Sequence, residues 1–324
     1  MILAGDVGAT KILLEVGEFR SDRWKPGLAR RYSTADAESF PALLTEVLGE
    51  WNSVRGKEQR ITAAGFGVAG PAAHNKVKMT HRPIVVDGEA ISSRFLIPKV
   101  VVVNDLAAAA QGIDVLEPRD LATIQEGDAD PHSPIMVMGV GTGLGIAYLV
   151  PTEDGGGYRV VPGEGGHSGF SPAGVPQAEL CHAIVTAHGR CSAEDVCSGK
   201  GLTHVFAFMR TQHAYEVGES EDPITAEWIA AKAAEGDAAA DAALELFVEC
   251  MGTIAGDHAL SVMARGGVYL TGGVIARMHE RIKSGRFSEM FCAKGPMSAA
   301  LMKIPVRAVT SERVALLGAA KFVL

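Results

Sequence analysis

Six short segments of this chain carry residue types suited to moving a phosphoryl group. Gly5-Asp6-Val7-Gly8-Ala9-Thr10-Lys11 lies between the apolar runs Ile2-Leu3-Ala4 and Ile12-Leu13-Leu14. Gly139-Val140-Gly141-Thr142-Gly143-Leu144-Gly145 lies in the same way between Ile135–Met138 and Ile146–Val150. Both read as β-hairpins whose glycines adopt φ > 0 and bare backbone N–H groups, a concavity suited to anions, with a Thr hydroxyl as an added donor. Either turn alone could be a plain hairpin. Two of them, with Asp6 in one, point to a polyphosphate held together with a metal ion. Asn104-Asp105 follows the run Val100–Val103 and precedes Leu106–Ala110, so it sits where a strand hands over to a helix. Ligands of α/β sheets lie beyond the carboxyl ends of strands, which makes Asp105 a candidate catalytic acid or base. Either residue could also serve as the helix cap. Glu164-Gly165-Gly166-His167, Ser192-Ala193-Glu194 and Thr271-Gly272-Gly273 complete the set.

These segments need a scaffold, and the chain supplies an alternating one. Phe40, Leu43, Leu44, Val47, Leu48 and Trp51 form one helical stripe, with Ser39 placed to cap it. Ile61–Val68 reads as a strand ended by Ala69-Gly70-Pro71. Val100–Val103 is β-branched and unbroken, which predicts a strand buried on both faces of a sheet. Helices are expected over 177–187, 225–234 and 238–263, a strand over 268–270, and a closing strand and helix over 306–309 and 313–323. The strand, glycine turn, strand unit occurs twice, at 2–14 and 135–150, which suggests two related lobes with a nucleotide between them.

Composition narrows the class. The 324 residues are 47% hydrophobic and 21% charged, ordinary for a water-soluble globular protein with a sizeable core. A net charge of −8 argues against a nucleic-acid or anionic-membrane partner, and it requires local neutralisation of any bound phosphate. Charged Asp6 and Lys11 break the opening apolar stretch before a secretory signal could form, and the longest uncharged run, 135–150, is short for a membrane span. Cytoplasm is the expected location. The five cysteines include no Cys-x-x-Cys pair, so neither a disulfide framework nor a zinc knuckle is indicated; small buried thiols are the simpler reading.

Taken in order over nearly the whole chain, these segments resemble the bacterial ATP-dependent glucokinases of the hexokinase and actin-like ATPase superfamily. The resemblance implies a two-lobed α/β, ribonuclease H-like fold with a cleft between the lobes. The small domain would comprise 1–110 plus 305–324 and the large domain 111–304. It implies that Asp105 takes the proton of the 6-hydroxyl of glucose as that oxygen attacks the γ-phosphate of ATP. Asn104, Glu164, His167 and Glu194 would hydrogen-bond the other sugar hydroxyls. Gly8, Thr10, Lys11, Gly141, Thr142 and Gly143 would contact the phosphates, Gly272 and Gly273 would lie against the adenosine, and Asp6 would orient Mg²⁺ through water. A homodimer is implied too. Three departures stand out: Ala9 replaces a second glycine, Lys11 resembles the related ROK sugar kinases (whose cysteine-rich zinc motif is missing here), and His81 replaces an Asn in Met79–Pro83. Ala9 requires a negative φ, and His81 bears on sugar choice. Another hexose, such as mannose, glucosamine or an N-acetyl-hexosamine, would use the same chemistry. A non-catalytic sugar sensor is the reading from a different class, and it leaves Asp105 and both glycine turns without a purpose.

Overall fold

The computed structural model describes residues 1–21, 23–37, 39–55, 59–79, 82–153, 155–212 and 223–324. Thr80 and His81 lie outside the described residues. The chain divides into two compact units, residues 1–118 with 311–324, and residues 119–310.

In unit 1 the elements run β1 (Ile2–Val7), β2 (Lys11–Arg20), β3 (Arg23–Ser33), α1 (Phe40–Arg55), β4 (Ala63–Val68), β5 (Ala72–Ala73), β6 (Lys76–Lys78), β7 (Val85–Asp87), α2 (Gly88–Phe95), β8 (Lys99–Asn104) and α3 (Asp105–Gly112). The main sheet has the order β3-β2-β1-β4-β8, with β1, β4 and β8 parallel, and β5-β6-β7 form a small separate sheet. The helical stripe is borne out: Phe40, Leu44, Val47 and Trp51 are buried, and Ser39 Oγ accepts the Ala42 N–H. The Val100–Val103 reading needs correcting. Its strand, β8, is at the sheet edge, and only Val102 of the four valines is fully buried. The outer edge is finished by one side chain: the Asn75 amide donates to Val100 O at 2.9 Å and accepts the Val102 N–H at 2.7 Å.

Unit 2 holds β9 (Leu121–Gln125), β10 (Ile135–Val140), β11 (Leu144–Pro151), β12 (Tyr158–Gly163), α4 (Val175–His188), α5 (Ala193–Val196), α6 (Gly199–Gln212), α7 (Ala226–Ala234), α8 (Ala238–Val262), β13 (Gly267–Thr271), α9 (Gly273–Ile282), α10 (Arg286–Cys292), α11 (Ser298–Leu301) and β14 (Val306–Val309). Its sheet order is β12-β11-β10-β13-β14-β9. The duplication seen in the sequence therefore extends beyond the hairpins. In each unit a hairpin strand pairs antiparallel with its successor and parallel with a later strand, and a second parallel strand follows. The core of unit 2 gathers around α8, whose Phe247, Val248, Cys250 and Met251 have no exposed surface. Cys197 and Cys250 are likewise fully enclosed, and burial pushes both thiols up.

The last helix, α12 (Val314–Lys321), returns to unit 1 and covers β1, β4 and α3. It packs backbone against backbone. A Cβ at Gly318 would lie 1.7 Å from Ala108 O, one at Gly112 2.2 Å from Val314 O, and one at Gly65 1.9 Å from Ala319 O. A half-buried ion pair pins its start: Arg313 grips both oxygens of Glu15 at 3.0 and 2.6 Å, and Trp24 Nε1 donates to the same carboxylate.

Candidate active site

The candidate site residues of unit 1 lie at the carboxyl ends of its parallel strands and in the turn after β1. In-register pairing sets Asp6 beside Gly67 and Val68 beside Asn104. Gly67 has no side chain to obstruct this edge; a Cβ there would meet Ala108 Cβ at 2.7 Å, so α3 can start close against β4. The two readings of Asn104-Asp105 are then divided between the residues. Asn104 is the cap: its Oδ1 accepts the N–H groups of Leu106 and Ala107 at 2.9 and 3.2 Å, and its Nδ2 donates to Gly70 O. Asp105 opens the helix with Oδ1 on the Leu106 N–H at 2.9 Å. Its carboxylate lies near enough to Asp6 to matter electrostatically. Burial first, and Asp105 second, push the Asp6 carboxyl up to about 7, with Lys11 opposing and Glu312 reinforcing the rise.

The first turn closes with Gly8 N–H donating to Lys11 O at 2.9 Å. Ala9 keeps a negative φ, as its side chain demands. Contrary to the sequence reading, none of the glycines in either hairpin turn adopts a positive φ. At two of them a side chain would instead meet a close neighbour. A Cβ at Gly5 would sit 2.7 Å from the Phe66 ring, and one at Gly143 2.6 Å from Glu194 Oε2. Two supports of the first turn were not foreseen. Buried Thr34 donates its hydroxyl to Gly8 O at 2.9 Å and its N–H to Thr10 O. Glu312 holds Lys11 Nζ at 2.6 Å. A lone Thr and a Glu some three hundred positions from the turn carry no local signal.

Unit 2 gathers the other predicted residues around its own hairpin. Gly141 N–H donates to Gly143 O at 2.9 Å, and Thr142 is exposed at the tip. Glu194, on the one-turn helix α5, reaches the turn and accepts the Leu144 N–H at 2.9 Å. A Ser192–Asp195 capping box fixes α5 itself. Glu164 and His167 are exposed and flank a tight 3₁₀ turn, and neither side chain takes a hydrogen bond from a described residue. Gly166 makes that turn possible, because a Cβ there would fall 1.9 Å from Leu144 O. Behind it, His258 Nδ1 and the Tyr148 hydroxyl are 2.9 Å apart; this pair also escaped the sequence reading. Burial lowers the His258 pKa.

The third glycine turn is the one that needs φ > 0. Gly272 has φ 103° and would bring a Cβ to 2.3 Å from Val140 O. It opens α9 without any side-chain cap, so the first-turn N–H groups face outward with the positive end of the helix dipole. Asp6, Gly8, Thr10, Lys11, Asn104 and Asp105 are thus brought together in unit 1. Gly141, Thr142, Gly143, Glu164, His167, Glu194, Gly272 and Gly273 are collected in unit 2.

A hairpin sheet used twice, with an Asn-Asp step at the carboxyl edge of one copy and a glycine turn before α9 in the other, defines the actin-like ATPase fold as sugar kinases use it. A profile of the family described as Glucokinase matches residues 3–324. A glucokinase from Nostoc sp. is 31% identical over an alignment of 342 positions, covering 99% of this chain and 98% of that protein. A crystal structure of glucokinase from an Antarctic psychrotroph is 30% identical with a TM-score of 0.86, covering 98% of this chain and 97% of that one. A ROK family glucokinase from Streptomyces griseus, solved in complex with glucose and AMPPNP, shares the fold at a TM-score of 0.64 and 20% identity, over 99% and 98% of the two chains. The chain belongs to the glucokinase family.

Proposed function

We propose that the protein transfers the γ-phosphate of Mg·ATP to the 6-hydroxyl of glucose, releasing ADP and glucose 6-phosphate. One observation carries the reading: Asn104 takes the duty of helix cap and leaves Asp105 at the sheet's carboxyl edge beside Asp6. A carboxylate in that place can accept the proton of an attacking hydroxyl, and position governs its efficiency before basicity does. Asp105 Oδ1 is steadied by the Leu106 N–H, so the carboxylate is oriented before the sugar arrives.

Glu164 and His167 offer an acceptor and a donor on one rigid turn, a pattern suited to neighbouring hydroxyls. Glu194 adds the carboxylate oxygen not engaged by Leu144. The backbone of Gly8, Gly141 and Gly143, the Thr10 and Thr142 hydroxyls and the Lys11 ammonium would meet the phosphates. Gly272 and Gly273 would leave backbone open to the adenosine.

The residues present fit Mg²⁺. Asp6 is a half-buried oxygen donor whose carboxyl is pushed up to about 7 by desolvation and by Asp105, so a cation beside it relieves both penalties. Among the described residues no cluster of three or more His, Cys, Asp or Glu is poised to hold a metal. Asp6 would therefore share the ion with phosphate oxygens and water, the usual habit of Mg²⁺. When bound, the ion supplies positive charge to the phosphate chain.

Among the described residues no helix is long and apolar enough to cross a membrane, in keeping with the proposed cytoplasmic location. The proposed assembly is a homodimer. ADP release with Mg·ATP, measured against glucose, mannose, fructose, glucosamine and N-acetylglucosamine, tests the reaction. Preference for glucose supports it, preference for another hexose moves the specificity to the segment around His81, and silence with all five in folded protein refutes it.

A further inference from the structure

Beyond the sugar contact proposed for it, Glu194 holds the second glycine turn. Its Oε2 accepts the Leu144 N–H at 2.9 Å, and that same oxygen occupies the space a Cβ on Gly143 would need. A second bond holds the other end of the turn, where Gly199 N–H donates to Gly141 O at 2.8 Å. The segment between these anchors is stiff: Ser198 Oγ donates to Glu194 O at 2.8 Å and accepts the Gly201 N–H at 2.9 Å. The same segment is tied to the loop of Glu164 and His167, through Ala193 N–H donating to Ser168 O at 2.9 Å and Phe170 N–H to Cys191 O at 3.1 Å. Oε1 of Glu194 takes no hydrogen bond from a described residue.

We propose that Glu194 is a positioning residue for the second glycine turn, so that a single carboxylate sets the shape of the nucleotide-binding turn with one oxygen and reports sugar occupancy with the other. The inference rests on the roles proposed above for that turn and for Glu194. A backbone N–H bonded to a carboxylate is among the stronger hydrogen bonds available to a turn, and its loss frees Leu144 and Gly143 to take other conformations. A ligand donating to Oε1 fixes the orientation of the carboxylate and so keeps Oε2 on Leu144, so each of the two ligands favours the other's binding, and the linkage is reciprocal.

The test separates the two oxygens. ADP affinity is measured calorimetrically without sugar and with saturating glucose, for the wild type and for Glu194→Ala, Glu194→Asp and Glu194→Gln. The wild type should bind ADP about fivefold tighter with glucose. Glu194→Ala should weaken sugar-free ADP binding about tenfold and abolish the effect of glucose. Glu194→Gln retains an acceptor for Leu144, so its sugar-free ADP affinity should stay within about twofold of wild type while glucose binding falls. Glu194→Asp is too short to reach Leu144 and should follow the alanine variant, which keeps the test open if alanine fails to fold. Amide exchange at Leu144 without any ligand should accelerate in the alanine and aspartate variants and not in the glutamine variant. Unchanged ADP affinity and unchanged Leu144 exchange in those two variants would overturn the proposal. A wild type that binds no ADP at all would instead sink the nucleotide reading, while the exchange measurement still judges the turn.

Discussion

One chemical change, Gly to Ala, can be tried at the crossing of α3 and α12 and on the exposed face of α1 with opposite expected signs. At Gly318 the added methyl would lie 1.7 Å from Ala108 O and 2.7 Å from Gly112 N, whereas carbon does not approach such atoms closer than 3.0 Å. The obstacle is backbone, which cannot rotate aside, so the helices must part by about 1.3 Å or more. Overpacking of this kind costs about 3 kcal/mol, and the better helix propensity of Ala returns about 1 kcal/mol. The net loss of about 2 kcal/mol corresponds to a fall of roughly 4–8 °C in the melting temperature. Gly49, in the exposed face of α1, has nothing within 4 Å of its would-be Cβ. There Ala should gain about 1 kcal/mol and raise the melting temperature by roughly 2–4 °C. Because α3 begins at Asp105, Gly318→Ala should also lower kcat by about two orders of magnitude, and Gly49→Ala should leave it unchanged. Thermal melts and steady-state kinetics on the two variants check both claims. A Gly318→Ala protein as stable and as active as Gly49→Ala would refute the close-packed crossing and its link to Asp105.

Two further outcomes are expected. Asp105→Ala should lower kcat by about 10²–10⁴ while glucose binding, followed calorimetrically, stays measurable through Glu164, His167 and Glu194; near-normal turnover would remove Asp105 as the base. Asp6 has a pKa of about 7 against an ordinary 3.8, so the unfolded chain binds fewer protons between those values and the ligand-free protein should lose stability as pH rises from about 4 to 7. Asp6→Asn should therefore melt higher than wild type at pH 8 and show no such advantage at pH 4; equal melting temperatures at both would contradict the burial of that carboxyl.

What could be read from the residues followed locality. The hairpins, the α1 stripe and the glycine turn before α9 announce themselves because period and turn chemistry lie within a dozen residues. The burial of β8 did not, since four valines look alike at the centre of a sheet and at an edge that one distant amide has finished. The amide of Asn75 does that work, two dozen residues upstream. The positive φ expected of the glycines in both hairpin turns is not found; at Gly5 and Gly143 it is space, beside Phe66 and Glu194, that a side chain would take. Thr34 behind the first turn, Glu312 on Lys11 and Arg313 on Glu15 are contacts between residues whose neighbours in sequence say nothing of them.

The return of α12 to unit 1 has a consequence for the order in which the protein takes shape as it is made. Glu15 waits for a partner 298 positions later, and Lys99 donates to Val323 O across 224. A growing chain can complete every strand of unit 2 while β1 and β4 still lack the helix that covers them. The unit bearing Asp105 is thus begun first and finished last, with its apolar sheet face bare throughout the synthesis of the other. A nascent-chain protease digest should find residues 119–310 resistant before residues 1–118, and this interval is when a chaperone would have the most surface to hold.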